Sequence, residues 1–255
     1  MAVNLQLERL YERIELGRGA GSVKGGTLCI MSFVAYLAGE RHTDRPRTAS
    51  PLVRTFAIQL NDGAVDAWRQ ELKPFAPKII GTNDGREQQR ADILFRTVVE
   101  EILPRARAEF GSEDQANFWS HTLEFTAPYG PGVLVDPREA YAVLALNIRP
   151  THTKMSYLTM STLVGNILPI LSRCSQSRTS KRWFWLKALE ILDRMCDVGA
   201  EVRVPEISHA RVEQLQEHLD KRFNPERETQ ALVQDGPKAK SAFSRLYKAV
   251  LSYVG

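Results

Sequence analysis

The segment TLCIMSFVAYLAGERHTDRPRTASPLVRTFAIQLNDG, residues 27–63, sets an apolar stretch on each side of a short polar turn. Leu28 to Gly39 carries no charge until Glu40, which predicts a helix buried on most sides and central to a core. Gly39 ends it, and Pro46 prevents an early restart. Ser50 followed by Pro51 pairs an N-cap with a first-turn proline, so a second helix is expected over Leu52 to Leu60, closing at Asn61-Asp62-Gly63. Two helices meeting at a charged elbow is the economical reading. The elbow holds Glu40, His42, Asp44 and three arginines.

Upstream, Leu7, Leu10, Tyr11 and Ile14 are spaced for one face of a helix over Asn4 to Leu16. It stops at Gly17–Gly26, with five glycines in ten residues and Lys24 among them. A phosphate loop needs Lys-Ser or Lys-Thr opening a helix after a strand; here Lys24 precedes Gly25 and follows a helical pattern, so a linker is the better reading.

Downstream, short helices are expected at Asp66–Phe75 and, after the polar turn Thr82–Gly85, a long amphipathic one at Arg86–Ala108 that Pro104 bends or ends. Further helices are read at Glu113–Phe125, Pro137–Leu146, Thr153–Cys174, Lys181–Val198, Pro205–Phe223 and Ala239–Val254. In the Lys181 helix, Phe184, Ala188, Ile191, Leu192 and Met195 form one core face, with Gly199 as its C-cap. No sustained period-two alternation and no solenoid repeat occur. The expected fold is therefore all-α, with roughly nine or ten helices and little or no sheet, in a single domain over residues 1–255 with a candidate subdomain boundary near residues 127–136 at PYGPG.

A hydrophobic content of 43% over 255 residues supports a substantial core, and a net charge of +4 makes any attraction to nucleic acid depend on where the charge sits. Cys29, Cys174 and Cys196 are too few and too scattered for a disulfide framework or a zinc site built from paired thiolates, and a reducing cytoplasm is the expected location. The N-terminal MAVNLQLERLYERIE does not resemble a secretory signal. Met155–Ser172 lacks charge for 18 residues but is interrupted by hydroxyls, Asn166 and Pro169, so a buried helix rather than a membrane span is expected.

CIMSFVAYLAGERHTDRP, then SPLVRTFAIQLND, then LKPFAPKIIGT resembles a recurring pattern in uncharacterised bacterial proteins, many of them actinobacterial. The positions that carry it are Cys29, Gly39, Glu40, Asp44, Pro46, Pro51, Asn61, Asp62, Leu72, Lys73, Pro74, Gly81 and Thr82. The resemblance covers about the first third of the chain and the tryptophan-rich helix, and it implies no activity or cofactor. Thr48 stands where relatives carry a second cysteine, which argues against a metal site at Cys29.

Two candidate sites follow. Glu40, His42 and Asp44 alternate along the elbow, and with Asp62 they offer the carboxylate and imidazole groups of a hydrolase, metal-dependent or not. In an antiparallel hairpin Asp62 returns to the start of the first helix rather than to the elbow, and Glu40 can instead cap or pair with Arg41, Arg45 or Arg47. The second site is basic. Between Glu139 and Glu190 there is no acidic residue, whereas Arg149, Lys154, Arg173, Arg178, Lys181, Arg182 and Lys187 all fall inside. In RCSQSRTSKRWFW these charges join hydroxyls, Trp183 and Trp185, a combination suited to phosphate oxygens and stacked bases. The leading reading is a non-catalytic binding module with Arg173, Arg178, Lys181, Arg182, Trp183 and Lys187 facing a nucleic acid or an acidic protein; the alternative is the hydrolase at residues 40–44.

Overall fold

Cys29 shows how the central helix begins: its Sγ accepts the Ser32 N–H at 3.2 Å and caps α1 (Ile30–Leu37), all eight residues of which are buried. The computed structural model describes residues 10–19, 21–22, 26–110, 144–145, 148, 156–175, 177–203 and 205–223. Among them the fold is all-α, with nine helices and one small three-stranded sheet. The helices expected at 113–125 and 239–254, most of that at 137–146, and the boundary near 127–136 lie outside the described residues.

Beyond α1, the helices are α2 (Pro51–Gly63), α3 (Asp66–Arg69), α4 (Phe75–Ile79), α5 (Glu87–Thr97), α6 (Leu103–Phe110), α7 (Tyr157–Cys174), α8 (Arg178–Asp197) and α9 (His209–Phe223). The start of α2 is the one expected, since Ser50 Oγ accepts the Val53 N–H at 3.2 Å and Pro51 occupies the first turn. The single helix read over 66–75 is instead α3, a 3₁₀ turn at Gln70–Leu72 and α4, because Pro74 and Pro77 withhold the N–H groups a continuous helix needs. At Pro104 the helical run does not end: a π-helical turn, Val98–Ile102, joins α5 to α6.

The first expected helix ends early. Residues 10–13 are helical, but Glu15–Leu16 forms β1, which pairs in parallel with β3 (Thr27–Leu28), and β2 (Gly21–Ser22) pairs antiparallel with β3 on its other side. Strands β1, β2 and β3 thus form a small glycine-bearing ribbon at the entrance to α1. Strands two residues long leave no alternation to read.

The core is built on α7, which packs against both α2 and α8. Helices α2 and α7 run in the same direction: Ser161 Oγ donates to the Leu52 carbonyl at 2.9 Å near one end, and Gly63 meets Pro169 near the other. Gly165 permits this approach, since a Cβ there would stand 2.8 Å from Gln59 Cβ and 3.2 Å from the Phe56 carbonyl. No described helix is long and apolar enough to cross a membrane. The chain divides into two units, Met1–Val212 and Glu213–Gly255; in the second, the described residues 213–223 continue α9, with Leu215 and Leu219 buried.

Candidate functional site

Glu40 is the first elbow residue the fold commits. Its two carboxylate oxygens accept the backbone N–H groups of Arg47 at 2.8 Å and Thr48 at 3.0 Å, closing the loop on itself. Thr48 Oγ1 then accepts the Gly81 N–H at 2.7 Å, Asn83 Nδ2 donates to the Arg47 carbonyl at 2.9 Å, and Thr82 Oγ1 accepts the Ser50 N–H at 2.9 Å. The elbow is stitched to the turn after α4 by these bonds. His42 and Asp44 stand exposed beside it, and Thr43 makes the turn bond of the loop, its Oγ1 accepting the Arg45 N–H at 3.0 Å.

Asp62 lies at the other end of α2, as the hairpin argument requires. Its Oδ1 accepts from Asn61 Nδ2 at 2.9 Å and from the Gly19 N–H at 3.3 Å, while Asn61 Oδ1 accepts the Ile30 N–H at 3.2 Å. Asn61 and Asp62 therefore hold the glycine ribbon against the start of α1. The structure gathers Glu40, His42 and Asp44 on one loop and leaves Asp62 apart. Among the described residues no group of three His, Cys, Asp or Glu side chains is placed to hold a metal ion.

The basic segment is reorganised by partners distant in sequence. Arg182 pairs with Glu71 at 2.7 Å, and the other oxygen of the same carboxylate accepts Trp185 Nε1–H at 3.1 Å. Trp185 is fully buried and stacked on Trp68, with centroids 5.8 Å apart, so it anchors the core rather than offering a stacking face. Lys187 bonds Glu101 at 2.6 Å and Glu190 at 2.5 Å. Burial alone would lower the Lys187 pKa, but these two carboxylates outweigh it and hold the ammonium above the usual lysine value. Trp183 is half-buried, with Arg105 and Lys187 at 5.8 and 5.7 Å from its ring.

Arg173, Arg178 and Lys181 remain outside these ion pairs. Arg173 leaves the last turn of α7, and Arg178 and Lys181 lie in the first turn of α8, where Ser177 Oγ accepts the Ser180 N–H at 3.0 Å. A residue the sequence reading missed joins them: exposed Arg105 of α6 donates to Ser180 Oγ at 2.8 Å. Within EEILPRARAEF it reads as one more charge on a solvated helix face, and nothing local marks the approach of α8. Arg178 and Lys181 thus begin the helix at the positive end of the α8 dipole, with Arg105 bonded to Ser180 beside them, a placement that costs stability unless an anion is present.

A cleft of about 420 Å³ lies between α4 and α8, floored by Phe75, Leu186 and Leu189 and rimmed by the Lys78–Asp193 pair at 2.5 Å. None of the candidate site residues read from the sequence lines it.

The three cysteines differ in access. Cys29 and Cys196 are buried, Cys174 is half-buried, and none is in a disulfide. Burial pushes the Cys196 thiol up to about 12. At pH 8 its thiolate fraction is roughly one part in ten thousand. Alkylation of the native protein is expected at Cys174, with Cys29 and Cys196 modified only after denaturation; peptide mapping that found native Cys196 labelled would contradict its packing.

Comparison of the chain with protein-family models, with curated proteins and with solved structures finds no match.

Proposed function

We propose that the chain is a non-catalytic helical binding module that engages the phosphate backbone of a nucleic acid at the corner between α7 and α8. The observation that supports this is the bond from Arg105 to Ser180 in the first turn of α8, where Arg178 and Lys181 also lie, with Arg173 in the last turn of α7 and all four outside the ion pairs that neutralise Arg182 and Lys187. Guanidinium forks and serine hydroxyls match phosphate oxygens, and a helix N-terminus adds to the same field. With Trp185 in the core and Trp183 flanked by cations, stacked bases find no open aromatic platform here, so recognition would rest on phosphates and be largely indifferent to sequence. Three cysteines outside any disulfide support the cytoplasm as its compartment.

Binding of labelled single-stranded DNA, duplex DNA and RNA over a salt series tests the proposal. The affinity should fall steeply with salt, and the triple variant R173Q/R178Q/K181Q should lower the slope of log K against log salt by roughly 2–3. An unchanged affinity and slope in that variant would overturn the assignment, and binding only to an acidic protein would replace the partner.

A further inference from the structure

The elbow between α1 and α2 holds three arginines against two carboxylates, and the fold turns one of those carboxylates inward. Arg41, Arg45 and Arg47 are exposed, whereas Glu40 is half-buried with both oxygens turned onto the backbone N–H groups of Arg47 and Thr48. The carboxylate expected to neutralise these arginines instead shapes the loop that carries them. Among the described residues, ion pairs engage Arg69, Arg86, Arg90, Arg182 and Arg194, and none reaches Arg41, Arg45 or Arg47. Asp44 is the one remaining carboxylate on the loop.

The loop is also preorganised. The Glu40 clasp, the Thr43–Arg45 turn bond, and the bonds from Gly81 to Thr48 and from Asn83 to Arg47 fix its backbone at both ends and in the middle. Three guanidinium groups within seven residues of a fixed loop lose less freedom on binding than the same groups on a mobile one.

We infer that the elbow is a second phosphate-binding surface, in which Arg41, Arg45 and Arg47 grip the backbone of a nucleic acid. The inference rests on the reading of a nucleic acid as partner, but not on the α7–α8 corner. The two surfaces lie at opposite ends of the α2/α7 pair: the elbow adjoins Leu52, which is level with Ser161, and Arg173 is twelve residues further along α7. That separation is about 18 Å along the helix axis, far enough for their contributions to add.

The salt series is therefore run with full-length wild type, the elbow variant R41Q/R45Q/R47Q and the corner variant R173Q/R178Q/K181Q, with melting temperatures as the control for folding. The clasp uses backbone N–H groups, so the elbow variant is expected to melt like wild type. It is expected to bind single-stranded or duplex DNA at least tenfold more weakly at low salt, with the slope reduced by roughly 2. Arg45→Gln alone, at the loop tip, should reduce the slope by about 1. Wild-type affinity and slope in both elbow variants, with binding weakened only in the corner variant, would overturn the elbow and leave the corner standing. Absence of salt-dependent binding by wild type at low salt would overturn both.

Discussion

Trp185→Ala is expected to cost about 3–5 kcal/mol and to lower the melting temperature by roughly 6–20 °C. The side chain is fully buried, so its removal opens a cavity in the face that α8 presents to the core. It also removes the stack on Trp68 and leaves Glu71 with Arg182 as its remaining partner. Trp183→Ala, two residues earlier, is the contrast. That ring is half-buried and contributes edge contact to Phe184 and cation–π attraction to Arg105 and Lys187, of the order of 1 kcal/mol for each cation. Thermal unfolding of both variants separates the roles. If Trp183→Ala were the more damaging, or Trp185→Ala melted within 2 °C of wild type, the anchor would have been assigned to the wrong tryptophan.

The neighbouring tryptophans also mark the limit of what the chain discloses by itself. The α8 core face, Phe184, Ala188, Ile191, Leu192 and Met195, is readable from 3.6-residue spacing, and all five are buried. Its C-terminus is readable from Gly199, which takes φ of 76° where a side chain would also meet Asp84 and Arg86. The Ser50-Pro51 start of α2 and the uncharged α1 were equally plain, because each signal lies within a few residues of what it specifies.

The charge pattern was misleading for the opposite reason. The fifty residues without an acid between Glu139 and Glu190 suggest a continuous basic face, yet Glu71 and Glu101 arrive from the 3₁₀ turn between α3 and α4 and the π-helical turn between α5 and α6 to neutralise Arg182 and Lys187. Ion pairing is set by tertiary neighbours about ninety and more positions away, which no local pattern reports. Glycines and polar residues in the first third of the chain follow the same logic. Gly39 takes a left-handed turn, Glu40 clasps the elbow, Asn61 ties the ribbon to α1, Lys73 Nζ donates to the Tyr11 carbonyl at 2.7 Å, and Thr82 holds Ser50. Their roles here are in holding loops together.

Arg90→Met is expected to be comparably damaging, at about 3–5 kcal/mol, because it breaks a buried charge pair and uncaps a helix at once. In REQQRADIL the arginine looks like part of a solvated face, but it is fully buried. Its guanidinium forks onto both oxygens of Asp84, at 2.6 and 3.0 Å, and donates to the carbonyls of Met195 at 3.1 Å and Val198 at 3.0 Å. Those carbonyls belong to the C-terminal end of α8, where cations are favoured and where Arg203 adds a bond to the Cys196 carbonyl at 2.6 Å. Methionine fills much of the volume and satisfies none of the acceptors, so the loss reports the bonds more than a cavity.

The same pair gives the stability a recognisable acid limb. Burial by itself raises the Asp84 pKa, but the bonds from Arg90 and from the Arg86 N–H outweigh it and hold the carboxyl below the usual range. A carboxyl whose folded-state value is depressed stabilises the fold fully above its unfolded value of about 3.9, and that contribution disappears as the pH falls through the lower folded value. The stability gap between wild type and Arg90→Met should therefore be constant at neutral pH and narrow below about pH 4. Arg90→Lys, which keeps the charge and loses the fork, should fall between the two. A gap that stayed constant down to pH 2 in denaturant titrations would mean that Arg90 acts through the α8 carbonyls alone, and that Asp84 contributes nothing to what it holds.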